Sequence, residues 1–172
     1  MTPVVTGPGP GPGIFRPHRL VAAGRLDRAA LAEAHTKEQE LEAIHRALYW
    51  AKVTGGAVHI VHVSIADRVR AVAQARLDGV RATAETCAHY LFFEEQDHLR
   101  RGPDVRCFPP IRDRDEVEAL WGCVADGTLD MVTSDHSPFL PADRAAGQDN
   151  VWLGQPEPSW PSRAGTGSRH RR

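Results

Sequence analysis

Between Thr36 and Ser134 the chain alternates between two hydrophobic patterns. Apolar residues three or four positions apart predict helices, and short apolar β-branched runs predict strands that are buried on both faces. Helices are predicted at 36–54, 66–77 and 113–126, and strands at 57–64, 80–87 and 129–134. Strands that alternate with helices of this length indicate βαβ units and a parallel sheet.

Local signals support the limits of the three helices. Thr36 and Gln39 fit a capping box, in which each side chain binds a free backbone N–H. Gly55, Gly79 and Gly127 follow the three helical patterns, where a glycine commonly ends a helix.

The predicted fold class is therefore α/β, with about three βα units. A closed (β/α)₈ barrel of the TIM type usually needs roughly 250 residues, and this chain has 172. Part of such a barrel and an open doubly wound sheet both fit the pattern, because periodicity alone does not separate them.

The flanking stretches differ in composition from this central part. Gly and Pro alternate from Gly7 to Gly13, which disfavours a helix or a central strand. We predict that residues 1–34 are poorly ordered, except for a helix over Arg25–Ala34. Residues 35–141 form the predicted partial barrel, and residues 142–172, rich in Gly, Pro, Ser and Arg, form a poorly ordered tail.

Charge and composition narrow the partners. The net charge is -1, with 25% charged and 41% apolar residues. Such a balance favours neither nucleic acid nor an anionic membrane as a partner, and no apolar run reaches the roughly 20 residues of a membrane span. The three cysteines form no CxxC pair, which favours a reducing, cytoplasmic location.

Groups able to bind metal or move protons follow all three predicted strands. In parallel α/β folds, ligands bind beyond the carboxyl ends of the strands. Here those ends carry His62, His89 and Asp135. Since strand side chains alternate between faces, His59 and His62 should point to opposite sides. We predict that His62 points inward, on the same face as Ser64, and that His59 points outward toward the helices.

The same residues also fit other interpretations. Asp135 could ligate a metal and accept a proton, or cap a turn before Pro138. Cys87 and His89 could form a nucleophile pair, although no orienting partner is visible. Arg112 could hold a carboxylate or a ureide oxygen, or lie on the solvated surface.

Four motifs together resemble those of the cyclic amidohydrolases, and most closely those of the allantoinases. They are HIVHVS at 59–64, ETCAHYLFF at 85–93, RCFPPIRD at 106–113 and SDHSP at 134–138. The pair Leu120-Trp121 lies between the last two. The resemblance covers about Glu38–Pro141 and implies about three βα units from the C-terminal half of a (β/α)₈ barrel.

The resemblance also implies a chemistry. Members of this family open cyclic amide rings at a binuclear metal centre, usually zinc. Their metal-ligand histidine falls on His62, and their aspartate, which is both a metal ligand and the catalytic proton acceptor, falls on Asp135. The substrate pocket falls on His89, Cys107, Phe108, Pro110 and Arg112. The implied partner is a small cyclic ureide, allantoin, opened to allantoate, and a family-like homo-oligomer is compatible with it.

Two alternatives follow from departures from the family pattern. Dihydroorotase or dihydropyrimidinase activity, found in related enzymes, is one alternative. Phe108 before the two prolines and Ser137-Pro138-Phe139 favour an allantoinase instead. The family's HxH metal pair, bridging lysine and a further histidine ligand have no counterpart here. We therefore expect a truncated member that is inactive by itself, or a non-catalytic remnant that acts only as an interaction piece.

Overall fold

The computed structural model describes residues 15–136 and 140–153. Within them, three strands form one parallel sheet in the order β1-β2-β3. The strands are β1 (Ala57–Ile60), β2 (Arg81–Cys87) and β3 (Met131–Thr133). Ala57 lies opposite Arg81 in β2, and Cys87 lies opposite Thr133 in β3. The parallel α/β arrangement predicted from the hydrophobic pattern is confirmed.

The described residues also contain eight α-helices. Before β1 lie α1 (Phe15–Ala22), α2 (Ala29–Ala34) and α3 (Lys37–Thr54), and α4 (Ala66–Leu77) joins β1 to β2. Between β2 and β3 lie α5 (Ala88–Phe92), α6 (Glu95–Arg101), a 3₁₀ turn (Gly102–Val105) and α7 (Arg114–Ala125), and α8 (Pro141–Ala145) follows β3.

The three long predicted helices correspond to α3, α4 and α7. Gly55 ends α3 in the left-handed conformation, at φ 66°, as predicted. The capping box at the start of α3 was a wrong prediction, because the Thr36 side chain makes no capping hydrogen bond. At α7, Asp113 does cap the helix by accepting from the Glu116 N–H at 3.1 Å.

Helices cover one face of the sheet and form the main core there. Alternate residues of β1 and β2 point to this face, so Val58, Ile60 and Ala84 are almost fully buried. They pack in one apolar cluster with Val69 of α4 and Leu120 of α7. The opposite face of the sheet carries polar side chains, which become important for the site.

A second, smaller cluster joins parts of residues 1–34 and 142–172, the two stretches for which poor order was predicted. Ala30, Leu31 and Val151 are each at most 2% exposed and pack together. Two hydrogen bonds join the same segments: Val151 N–H donates to Leu26 O at 2.9 Å, and Trp152 Nε1 donates to Arg25 O at 2.7 Å. The segment that contains α2 is thus packed against Val151 and Trp152.

Some predictions fall outside the described residues. These are the disorder of Met1–Gly13, the final part of the tail from 154 to 172, and Pro138 with its two neighbours. Of the helices that the structure describes, none has the length and apolar character needed to cross a bilayer.

The small cluster gives a stability prediction. Replacing Leu31 with Ala should lower the free energy of unfolding by about 2–5 kcal/mol, because it leaves a cavity between α2 and Val151. Leu26→Ala is the matched control and should cost less, since Leu26 is 39% exposed. Urea unfolding measures both. Equal, small losses would contradict the packing of α2 against Val151.

Candidate functional site

The carboxyl ends of the three strands lie at one edge of the sheet, because all three run parallel. Beyond them the chain carries His62 after β1, His89 in α5 directly after β2, and Asp135 after β3. The convergence of these strand ends follows from the parallel topology, as expected. The surroundings of these three side chains differ.

His62 and Asp135 share an unusual backbone conformation. Their φ angles are 43° and 44°, and no other non-glycine residue in the described ranges has a positive φ. A residue with a Cβ in this region is strained by about 1–3 kcal/mol and is retained where the surrounding structure fixes it. Such residues cluster at functional sites, and here both belong to the predicted metal ligands.

The conformation of His62 interrupts the pairing of β1 with β2. The last paired residue of β1 is Ile60, opposite Ala84. Pairing resumes at Val63, whose N–H donates to Glu85 O at 2.8 Å and whose O accepts from Thr86 Oγ1 at 2.6 Å. His62 lies unpaired between them, as in a β-bulge, a feature that can re-aim a side chain at an active site.

This bulge corrects the predicted orientation of His59. The His59 ring lies on the face away from the helices, with Nδ1 at 2.7 Å from Thr83 Oγ1 and Nε2 at 3.1 Å from Glu85 Oε2. The alternation argument failed because the strand ends at Ile60 and His62 is left-handed. Ser64 also lies elsewhere than predicted, since its hydroxyl donates to Glu40 on α3 at 2.8 Å.

His89 presents an uncharged imidazole at the strand ends. The residue is 3% exposed, and its Nε2 atom is buried with no hydrogen-bond partner. Burial, helped by the nearby charge of His62, lowers the pKa of His89 to about 4. A neutral ring with one free nitrogen can donate a hydrogen bond to a ligand or accept one from it, depending on the tautomer.

Asp135 and Cys87 differ sharply in exposure. Asp135 is exposed, whereas Cys87 is fully buried with Sγ at 3.8 Å from Thr133 Oγ1. Burial raises the pKa of the Cys87 thiol to about 12. A thiol that stays protonated is a poor nucleophile, so the Cys87–His89 nucleophile reading is disfavoured.

The residues of the predicted pocket loop contact one another and neighbouring side chains. Cys107 Sγ donates to Pro109 O at 3.1 Å, and Tyr90 donates to the same oxygen at 2.7 Å. Phe108 packs edge-on against His35, with ring centroids 5.0 Å apart. Pro110 is buried. The substrate-binding roles of Cys107, Phe108 and Pro110 remain predictions.

Arg112 is not a surface residue, because it is 6% exposed. Its Nε donates to Ser64 Oγ at 3.1 Å, its Nη1 donates to His35 O at 2.8 Å, and its Nη2 is paired with Glu40. The alternative that Arg112 lies on the solvated surface was therefore wrong. The role of Arg112 in binding a ureide remains a prediction.

The ion cluster around Glu40 was not among the predictions. The Glu40 carboxylate, 13% exposed, pairs with Arg68, at 1%, as well as with Arg112. Burial lowers the pKa of Arg68 to about 8. A signal was available: Glu40 lies four residues before Ile44, and Arg68 lies four before Val72, so both charges lie on buried helix faces.

The described residues do not complete a metal site. In 15–136 and 140–153, no group of three His, Cys, Asp or Glu side chains is placed to hold a metal ion. His62 and Asp135 follow β1 and β3, and β2 lies between those strands. Their metal-ligand roles remain predictions.

Comparisons with known proteins agree with the motifs. The chain is 52% identical over 117 residues to an allantoinase of Rubrobacter xylanophilus, covering 67% of the chain and 26% of that enzyme. It is 42% identical over 130 residues to an allantoinase of Bacillus velezensis, covering 76% of the chain and 28% of the enzyme. The chain thus spans about a quarter of the length of these relatives. No protein-family model matches it.

Solved structures extend the likeness to most of the chain. An L-hydantoinase (dihydropyrimidinase) from Arthrobacter aurescens matches with a TM-score of 0.84 and 30% identity, over 90% of this chain and 35% of that one. A D-hydantoinase matches with a TM-score of 0.81 and 25% identity, over 89% of this chain and 34% of that one. The shared fold therefore reaches beyond the stretch 38–141 that carries the motifs.

The surroundings of His89 predict a pH dependence. The unfolded chain binds a proton on this residue below about pH 6.5, and the folded chain does so only near pH 4. The free energy of unfolding should therefore fall as the pH drops through this window, by up to ~1.4 kcal/mol per pH unit from His89. Urea unfolding at several pH values measures the slope.

His89→Asn removes this titration and should reduce the slope between pH 6.5 and 4, while a part of the slope persists because burial also lowers the pKa of His35 to about 4 and lowers that of His98. His45→Asn, which changes an exposed histidine on α3, should keep the slope of the wild type. If His89→Asn and His45→Asn gave the same slope, His89 would not be held neutral by the fold.

Proposed function

Since this chain is homologous to one segment of the allantoinases, and over that segment belongs to the cyclic amidohydrolases, we propose that it carries part of a site that opens the ring of a cyclic ureide. One observation carries the proposal most. His62 and Asp135 follow parallel strands and are the non-glycine residues with positive φ in the described ranges. Backbone strain at the two predicted metal-ligand positions supports a functional role for both residues.

Allantoin is the substrate that we favour. The curated relatives named allantoinase are 38–52% identical to this chain. The four motifs, including Phe108 before the two prolines, point the same way. The proposed product is allantoate, formed by hydrolysis of one ring C–N bond.

Two side chains have proposed roles that need only their own chemistry. Asp135 is an exposed carboxylate at a strand end, so it can accept a proton from an attacking water. His89 is buried, neutral and has a free Nε2, so it can hydrogen-bond a ring carbonyl or a ring N–H. Both roles place the substrate beyond the carboxyl ends of β2 and β3.

Metal dependence is part of the proposal, and it limits what this chain does alone. A hydrolytic zinc normally keeps at least three protein ligands. This sequence offers His62 and Asp135, and the described residues contain no third candidate beside them. We therefore infer that further ligands must come from outside the described residues. Because the family's other ligand motifs have no counterpart in this sequence, we also infer that the chain alone does not turn over substrate.

Hydantoinase or dihydropyrimidinase activity is a second candidate, favoured by the fold match to an L-hydantoinase at a TM-score of 0.84. A panel of allantoin, hydantoin, dihydrouracil and dihydroorotate, given to an intact relative that contains this segment, separates the candidates. Preferred opening of allantoin supports the first. Preferred opening of hydantoin or dihydrouracil supports the second.

Turnover gives the first test. Purified chain with added zinc and allantoin should form no allantoate above a zinc-only blank, because two ligands are too few to hold the metal. Allantoate is measured by a colorimetric assay after acid hydrolysis. Ring opening above the blank that disappears in Asp135→Asn would contradict the inferred inactivity.

Metal content gives the second test. We expect substoichiometric zinc after dialysis, measured by atomic emission, and His62→Ala should reduce it further. The matched control is His45→Ala, which removes an exposed histidine from α3 and should change nothing. Zinc that is unaffected by His62→Ala would argue against a ligand role for His62.

A further inference from the structure

One carboxylate connects all three strands on the sheet face away from the helices. Glu85 lies in β2, and its Oε2 is 3.1 Å from Nε2 of His59 in β1. Its Oε1 accepts a hydrogen bond from Thr133 Oγ1 in β3 at 3.0 Å. Each oxygen of the carboxylate thus contacts one neighbouring strand.

The surroundings favour a defined geometry for this contact. The Glu85 and His59 side chains are only 15% and 17% exposed. Thr83 Oγ1 lies 2.7 Å from the other ring nitrogen of His59, so a ring that donates from Nε2 to Glu85 can accept from Thr83. A half-buried carboxylate with partners on both oxygens is costly to disconnect.

The two partners lead directly to the strand ends. His59 lies three residues before His62, and Thr133 lies two residues before Asp135. Because β3 has only three residues, a single cross-strand side-chain contact has a large influence on its position. Thr133 Oγ1 has one other backbone acceptor nearby, Thr86 O, at the longer distance of 3.5 Å.

A different carboxylate holds the amino end of β3. Asp130 accepts from the Ala84 N–H at 2.8 Å and from Arg76 Nη1 at 2.6 Å. The two contacts divide the strand: Asp130 fixes where β3 begins, and Glu85 fixes where it ends. This division supplies a matched control on the same pair of strands.

We propose that Glu85 is a positioning residue that fixes the positions of His62 and Asp135 relative to each other at the carboxyl ends of β1 and β3. This inference rests on the proposed function, because it assumes that His62 and Asp135 act together. Glu85 acts through His59 on β1 and through Thr133 on β3. It need not touch a substrate.

Nuclear magnetic resonance of the full chain tests the proposal without any turnover. The backbone amide signals of His62 and Asp135 and the ring ¹⁵N signals of His59 are compared in wild type, Glu85→Ala, Glu85→Gln, Thr133→Val and Asp130→Asn. Amide hydrogen exchange of β3 is measured in the same samples.

Glu85→Ala should shift both the His62 and the Asp135 signals, and should make the Thr133 amide exchange roughly tenfold faster. Thr133→Val should shift Asp135 and leave His62 unchanged. Glu85→Gln keeps an acceptor for Thr133, so the Asp135 signal should return toward wild type while the His59 ring signals stay altered. Asp130→Asn should speed exchange in β3 without shifting His62.

Three results would overturn the proposal. In the first, Glu85→Ala leaves His62 and Asp135 unshifted. In the second, Asp130→Asn shifts them as much as Glu85→Ala does, which would indicate general loosening of β3. In the third, Thr133→Val leaves the Asp135 signal unshifted. If Glu85→Ala does not fold, Glu85→Gln and Thr133→Val decide. These signals report geometry alone, so the outcome is separate from the zinc and allantoin tests.

Discussion

The Glu40 carboxylate lies between two buried guanidinium groups, those of Arg68 and Arg112. Charged groups this deeply buried are tolerated only when they are paired and hydrogen-bonded, because removal of one partner leaves an uncompensated charge. Ser64 donates to the same carboxylate. One side chain of α3 therefore joins α4, the loop after β1 and the loop that precedes α7.

This cluster lies at the same end of the molecule as the candidate site. Helices α4 and α7 begin where the chain leaves the carboxyl side of the sheet, so Arg68 and Arg112 near their first turns lie close to the strand ends. Ser64 is two residues from His62, and Arg112 ends the loop that contains Cys107 and Phe108. Through Ser64 the cluster restrains the backbone two residues after His62, which adopts the strained conformation.

The fold could be predicted where periodicity decides it. Leu41, Ile44 and Leu48 repeat at helical spacing, and the run from Ala57 has the composition of a buried strand, so α3 and β1 were predictable. His59 was misplaced because one left-handed residue breaks strand alternation, and a histidine with positive φ has no sequence signature. The packing of α2 against Val151 could not be predicted, because Val151 is distant along the chain and the local pattern does not show it.

The candidate site was only partly predictable for a related reason. His62, His89 and Asp135 were found from their positions after strands, which the parallel topology brings to one edge. Glu40, Arg68 and Glu85 were missed because their importance comes from contacts across elements. A charge on an apolar helix face was the one local signal, and it is visible for Glu40 and Arg68.

The Glu40 cluster should therefore fix the loop that carries His62. The most direct measurement is native-state hydrogen exchange of the Val63 amide, which donates to Glu85 O, in Glu40→Gln and in the control Glu42→Gln. Glu42 is 57% exposed on the same helix. We expect Glu40→Gln to accelerate exchange at Val63 by at least about tenfold, and more than at Ala84 within β2, because an uncompensated pair of arginines opens this loop first. Equal exchange at Val63 in the two variants would contradict the claim.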